Sequence, residues 1–108
     1  MPFQVVLAQV TAQPGVRAAV FCDGEGERVA AANGELGAYE VDVLGAAFAA
    51  IAGQVSDGQA LRARLADSVL WVAPVQLGYY VVVACAPGAD HRARRALDGV
   101  AAALRAGM

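Results

Sequence analysis

The chain has 108 residues, enough for one domain spanning residues 1–108 that buries about two-thirds of its unfolded surface. A hydrophobic fraction of 58%, a charged fraction of 17% and a mean hydropathy of +0.49 imply surface hidden in an oligomer, or poor solubility alone. The net charge of −2 argues against sequence-independent nucleic-acid binding, and the one basic cluster, Arg92, Arg94 and Arg95, reads as a solvated helix face.

The N-terminus, MPFQVVLAQV, lacks the positive start and long apolar core of a signal peptide. Two cysteines make no disulfide framework, so a reducing cytoplasm is expected. Phe3, Val6, Leu7 and Val10 recur at helical spacing, predicting a short helix over 3–13 ended by Pro14-Gly15. Residues 16–22 read as a strand and 27–32 as its return across the turn Asp23-Gly24-Glu25-Gly26, with Asn33-Gly34 ending the hairpin.

Residues 41–55, VDVLGAAFAAIAGQV, have the composition of a helix that is apolar almost all the way round. Leu44, Phe48, Ile51 and Val55 make one stripe, and Val43, Ala46, Ala47, Ala50 and Gln54 occupy the face where charge is expected. Gly45, Ala49 and Gly53 form a small-residue ridge, which allows close approach of another backbone. A helix-to-helix dimer contact accounts for the second apolar face; packing of the ridge on the chain's own sheet is the other reading. The run is too short and too rich in Ala and Gly for a membrane span.

Ser56-Asp57-Gly58 closes that helix. In 60–66, Leu61, Ala63 and Leu65 alternate with Arg62 and Arg64, which fits an edge strand; a helix through Ala66 is the alternative. Residues 69–75 form a strand with Val69 and Trp71 on one side, Leu70 and Val72 on the other, and Pro74 near its end. Gln76-Leu77-Gly78 turns into 79–85, YYVVVAC, whose continuous valines imply burial on both faces and a central place in the sheet. After Pro87-Gly88, Asp90 is the expected N-cap of a helix through Ala106, with Ala93, Leu97, Val100 and Leu104 inward.

That element order, the GVRAAVFCDGEGERVAAANGE opening, the Ala-rich central helix and the late Tyr/Val strand together resemble a bacterial, MglB-like Roadblock/LC7 domain over nearly the whole chain. The resemblance implies an α+β fold of order α-ββ-α-βββ-α, a profilin-like sandwich. Its five-stranded antiparallel sheet has the order 2-1-5-4-3, with helices on both faces. It also implies a homodimer through the central helix and the strand after it, here Val43, Gly45, Ala46, Ala49, Ala50, Gly53, Arg62 and Arg64. The implied partner is a small Ras-like GTPase of the MglA type, met by Glu40, Asp42, Val43, Ala46, Ala47, Ala50 and Gln54. The module would arrange the GTPase's own loops; an arginine donated from Arg62 or Arg64 is the lesser alternative. A nucleotide-independent structural adaptor and a small-ligand sensor are the other function classes.

No catalytic constellation, cofactor site or metal site is expected. His91 reads as a solvated first-turn residue. Cys22 and Cys85 end strands at opposite edges and should not meet. Asp23, Glu25 and Glu27 crowd one turn too short for a calcium loop. Of Tyr79 and Tyr80, one is expected in the core and one under a terminal helix, and Trp71 in the core.

Overall fold

Helix α1 (Phe3–Thr11) forms where the apolar spacing requires it, and it buries Val6, Leu7 and Val10. The computed structural model describes residues 3–23, 25, 27–33, 60–64, 67–76 and 78–107; the expected helix over 41–55, its closing turn, and Leu65 and Ala66 lie outside them. Five strands follow: β1 (Val16–Cys22), β2 (Arg28–Asn33), β3 (Leu61–Arg64), β4 (Val69–Pro74) and β5 (Tyr80–Cys85). A short 3-10 turn, Pro87–Ala89, leads into helix α2 (Asp90–Ala106).

All pairings are antiparallel and the order is β2-β1-β5-β4-β3, as the resemblance implies. The valine-rich strand β5 is central, and Val81, Val82, Val83, Ala84 and Cys85 are all buried. Residues 61–64 form an edge strand, which overturns the helical alternative for that stretch. Alternation decides this, because it gives Leu61 and Ala63 a buried sheet face to join.

The sheet has two dry faces. On one, Ala19, Phe21, Val69, Val81, Val83 and Cys85 pack with α1 and α2. On the other, Ala18, Val20, Cys22, Leu70, Val72, Val82 and Ala84 form a second cluster, joined by Leu61 and Ala63. Helix α1 lies against β1 and β2, and α2 lies against β4 and β5. Tyr79 packs on the helix-covered side beside Phe21, their ring centroids 5.6 Å apart, whereas Tyr80 joins the other cluster. Trp71 is only partly buried, on the helix side.

Cys22 and Cys85 are both buried and free. Register places Cys22 opposite Tyr80 and Cys85 opposite Val16, so the thiols sit at opposite ends of the β1–β5 pair and on different faces. The acidic turn after β1 has a structural use. The Asp23 carboxylate accepts hydrogen bonds from the backbone N–H groups of Glu25 (2.9 Å) and Glu27 (3.0 Å), closing the hairpin as an Asx turn.

Gly15 is a point of close approach between distant parts of the chain. Its φ of +85° lies in the left-handed region, its carbonyl accepts from the Ala86 N–H (2.8 Å), and a Cβ there would run into the Ala89 side chain. Gly78 also has positive φ (+79°), but open space surrounds it. Gly15→Ala should therefore cost more than about 2 kcal/mol, from backbone strain plus the displaced 3-10 turn, and Gly78→Ala only about 1–2. Urea unfolding of both variants checks this, and equal losses would remove the close approach as a cause.

Burial, and next the Asp23 carboxylate, push the Cys22 thiol up to about 12, and burial also raises Cys85. Unfolded thiols ionise near 9.0, so above that pH the unfolded state holds fewer protons than the folded one and stability falls as pH rises towards 12. Denaturation midpoints between pH 8 and 10.5 should decline, less steeply in Cys22→Ala. A thiol-reactive dye should label neither cysteine quickly until denaturant is added.

Candidate functional site

Among the described residues the densest polar constellation gathers around Asp90. The β3–β4 register sets Arg62 opposite Trp71, and alternation turns both toward the helix-covered face. Helix α2 begins just above this pair. Asp90 Oδ1 accepts the Trp71 Nε1–H (2.6 Å), and Oδ2 accepts Arg62 Nε–H (2.8 Å), with Arg62 Nη2 at 2.7 Å. The Arg62 hydrogen bond, then that of Trp71, holds the Asp90 carboxyl below its usual range against the opposing effect of desolvation. The same carboxylate lifts Arg62 above its ordinary value.

Asp90 is thus not the N-cap that the sequence predicts. The cap position belongs to Ala89, which makes no side-chain cap bond, and Asp90 is already in the helix. Its carboxylate is drawn sideways to two donors from the sheet, one of them charged, in place of the helix's own N–H groups. In the first turn it still complements the helix dipole. Arg94 continues the constellation: its guanidinium carbon lies 5.4 Å from the Trp71 ring centroid, and it pairs with Asp98 one helical turn on.

Two further arginines act as anchors. Arg17, at the irregularity between Val16 and Ala18, donates to the Asp67 carbonyl (2.8 Å) and to Ser68 Oγ (2.7 Å). Arg105 donates to the carbonyls of Val75 (2.7 Å) and Pro74 (2.8 Å), where β4 leaves the sheet. Composition alone hid these links, since each joins elements far apart in sequence. Trp71 and Arg62, paired across adjacent strands, with a carboxylate opening the last helix, are the signal that points to the Asp90 bridge.

Of the expected interface residues, Arg62 and Arg64 are described, both exposed on edge strand β3. Arg62 is committed to Asp90, which ill suits it to donate a guanidinium elsewhere. Val43, Gly45, Ala46, Ala49, Ala50 and Gly53, and the partner-facing Glu40, Asp42, Ala47 and Gln54, lie outside the described residues. His91 is exposed beside Asp90. Among the described residues no three His, Cys, Asp or Glu side chains are grouped to hold a metal ion, and no helix is long and apolar enough to cross a membrane.

No family model matches the sequence, and no curated protein matches it either. Solved structures do. The Roadblock/LC7 domain from Streptomyces avermitilis superposes with a TM-score of 0.77 at 12% identity, covering 94% of this chain and 93% of that one. MglB from Myxococcus xanthus gives 0.76 at 15% identity, over 95% and 91% of the two chains. MglC from the same organism gives 0.75 at 20% identity and covers 100% of both. Sequence identity this low leaves the architecture as the shared property, and on that architecture and its 2-1-5-4-3 sheet this chain has the Roadblock/LC7 fold.

Proposed function

We propose that this chain is a single-domain, homodimeric regulatory platform without an active site of its own, working in the cytoplasm on a small Ras-like GTPase of the MglA type. The observation that carries this reading is the near full-length likeness to MglB and MglC. A neighbouring MglB structure has a tetrameric arrangement, which supports self-association here as well.

The proposed dimer contact combines the apolar 41–55 segment, through Val43, Gly45, Ala46, Ala49, Ala50 and Gly53, with the edge strand that carries Arg62 and Arg64. Strand β3 ends the sheet, and its exposed arginines suit a regulated edge better than an aggregating one. The GTPase would meet Glu40, Asp42, Val43, Ala46, Ala47, Ala50 and Gln54 on the same segment. Any acceleration of hydrolysis would come from ordering the GTPase's own loops; Arg62 is engaged by Asp90, and an arginine donated from Arg64 is the lesser alternative.

In sedimentation, Ala50→Arg should convert a dimer to a monomer with an intact sheet, because it buries charge against its symmetry mate. A variant that stays dimeric at native stability would place the interface elsewhere. For the partner, the chain is immobilised and exposed to cytosol with excess GDP or a non-hydrolysable GTP analogue. A small GTPase retained only with the analogue is the expected outcome. Partners indifferent to nucleotide would make the protein a structural adaptor instead.

A further inference from the structure

A groove runs along the seam between α1 and α2, on the helix face and away from edge strand β3. It encloses about 210 Å³ and is lined by Val6, Val10, Gln13, Ala96, Gly99 and Ala103 among others. At Gln13 and Ala96 it meets a second hollow bordered by Arg92 and Arg95. The seam is therefore mostly apolar, with Gln9 and Gln13 on the α1 side, and cationic at one mouth.

The arginines of the described surface are not used alike. Arg62 is held by Asp90, Arg94 by Asp98, and Arg105 by two carbonyls. Arg92 and Arg95 are exposed and have no acidic partner among the described residues, and they are the two at the groove's mouth. Gly99 adds a second, independent sign. Glycine inside a helix lowers helix stability relative to alanine, yet a Cβ at Gly99 would meet nothing within 4 Å. Packing among the described residues does not require a glycine there. Local rules broken without an internal gain are expected at functional surfaces.

The geometry points to a docking groove for an amphipathic helix of another protein, with small apolar side chains on one face and Asp or Glu at the end that meets Arg92 and Arg95. The apolar stripe would lie over Gly99, and the charged pairs would fix its direction. This site shares no residue with the proposed dimer and GTPase surfaces and does not rest on that reading.

The test is selection of a displayed library of helical peptides, randomised on one face, against the full chain. Synthetic copies of the winners are then titrated by fluorescence anisotropy. Winners should carry acidic residues in one terminal turn. They should bind Gly99→Leu at least tenfold more weakly, although that variant keeps its circular dichroism and melts no lower than the parent. The solvent-facing double variant Arg92→Glu with Arg95→Glu should also lose at least tenfold, and it decides the matter if Gly99→Leu does not fold. Absence of any binder, or winners indifferent to both variants, overturns the proposal. Self-association lost on Gly99→Leu in sedimentation would overturn it too, by making a second copy the occupant.

Discussion

Burial of strand β5 on both faces is the constraint from which the rest of the architecture follows. Val81 and Val83 point to one side and Val82 and Ala84 to the other, all essentially without solvent contact. Each such valine contributes about 1.5–3 kcal/mol when removed from water. A strand of this kind is stable only in the middle of a sheet that is dry above and below. Its neighbours β1 and β4 inherit the same demand, and their burial is nearly continuous. Polar variation is pushed outward to β3, whose arginines face water, and to the exposed flanks of the two helices.

Because the middle of the sheet is apolar, the long-range polar links gather at its rims. Asp90 joins the first turn of α2 to both β3 and β4, Arg17 reaches the turn before β4, and Arg105 closes the far end of β4. All three fix β4 relative to the rest of the chain, and the Asp90 bridge fixes β3 as well. Strand β3 pairs with only one neighbour, so it gains most from such links. The Asp90 bridge holds Arg62 in place on the edge proposed for self-association, which makes the bridge a positioning device.

The fold was legible where the pattern is local. Helical spacing in α1 and α2, alternation in β3 and β4, and the unbroken apolar run of β5 each state their own structure, and the chain boundaries agree to within a few residues. The strand order was less accessible from periodicity, and came through likeness to a known fold. Asp90 was misread because N-capping is a local expectation, whereas the donors that claim its carboxylate arrive from strands 19 and 28 residues away in sequence. The Asp23 turn shows the reverse case: three acids suggest a ligand set, but the Asp23 carboxylate accepts from the backbone N–H groups of the turn itself. The tyrosine pair, by contrast, divides between the faces as adjacent residues entering a strand must.

The two surfaces considered for binding differ in physical character, and this has a consequence for how they combine. Edge strand β3 offers directional backbone groups and a row of arginines at the sheet's border. The α1–α2 seam lies over the sheet's interior, where α1 covers β1 and β2 and α2 covers β4 and β5. The two share no residue. A symmetric dimer joined at β3 would carry two seams, so two helices presented by one assembly would bind with an avidity set by their spacing. A platform of that kind would recruit by geometry: the proposed dimer would fix the distance between two identical grooves, and the partner would have to match it.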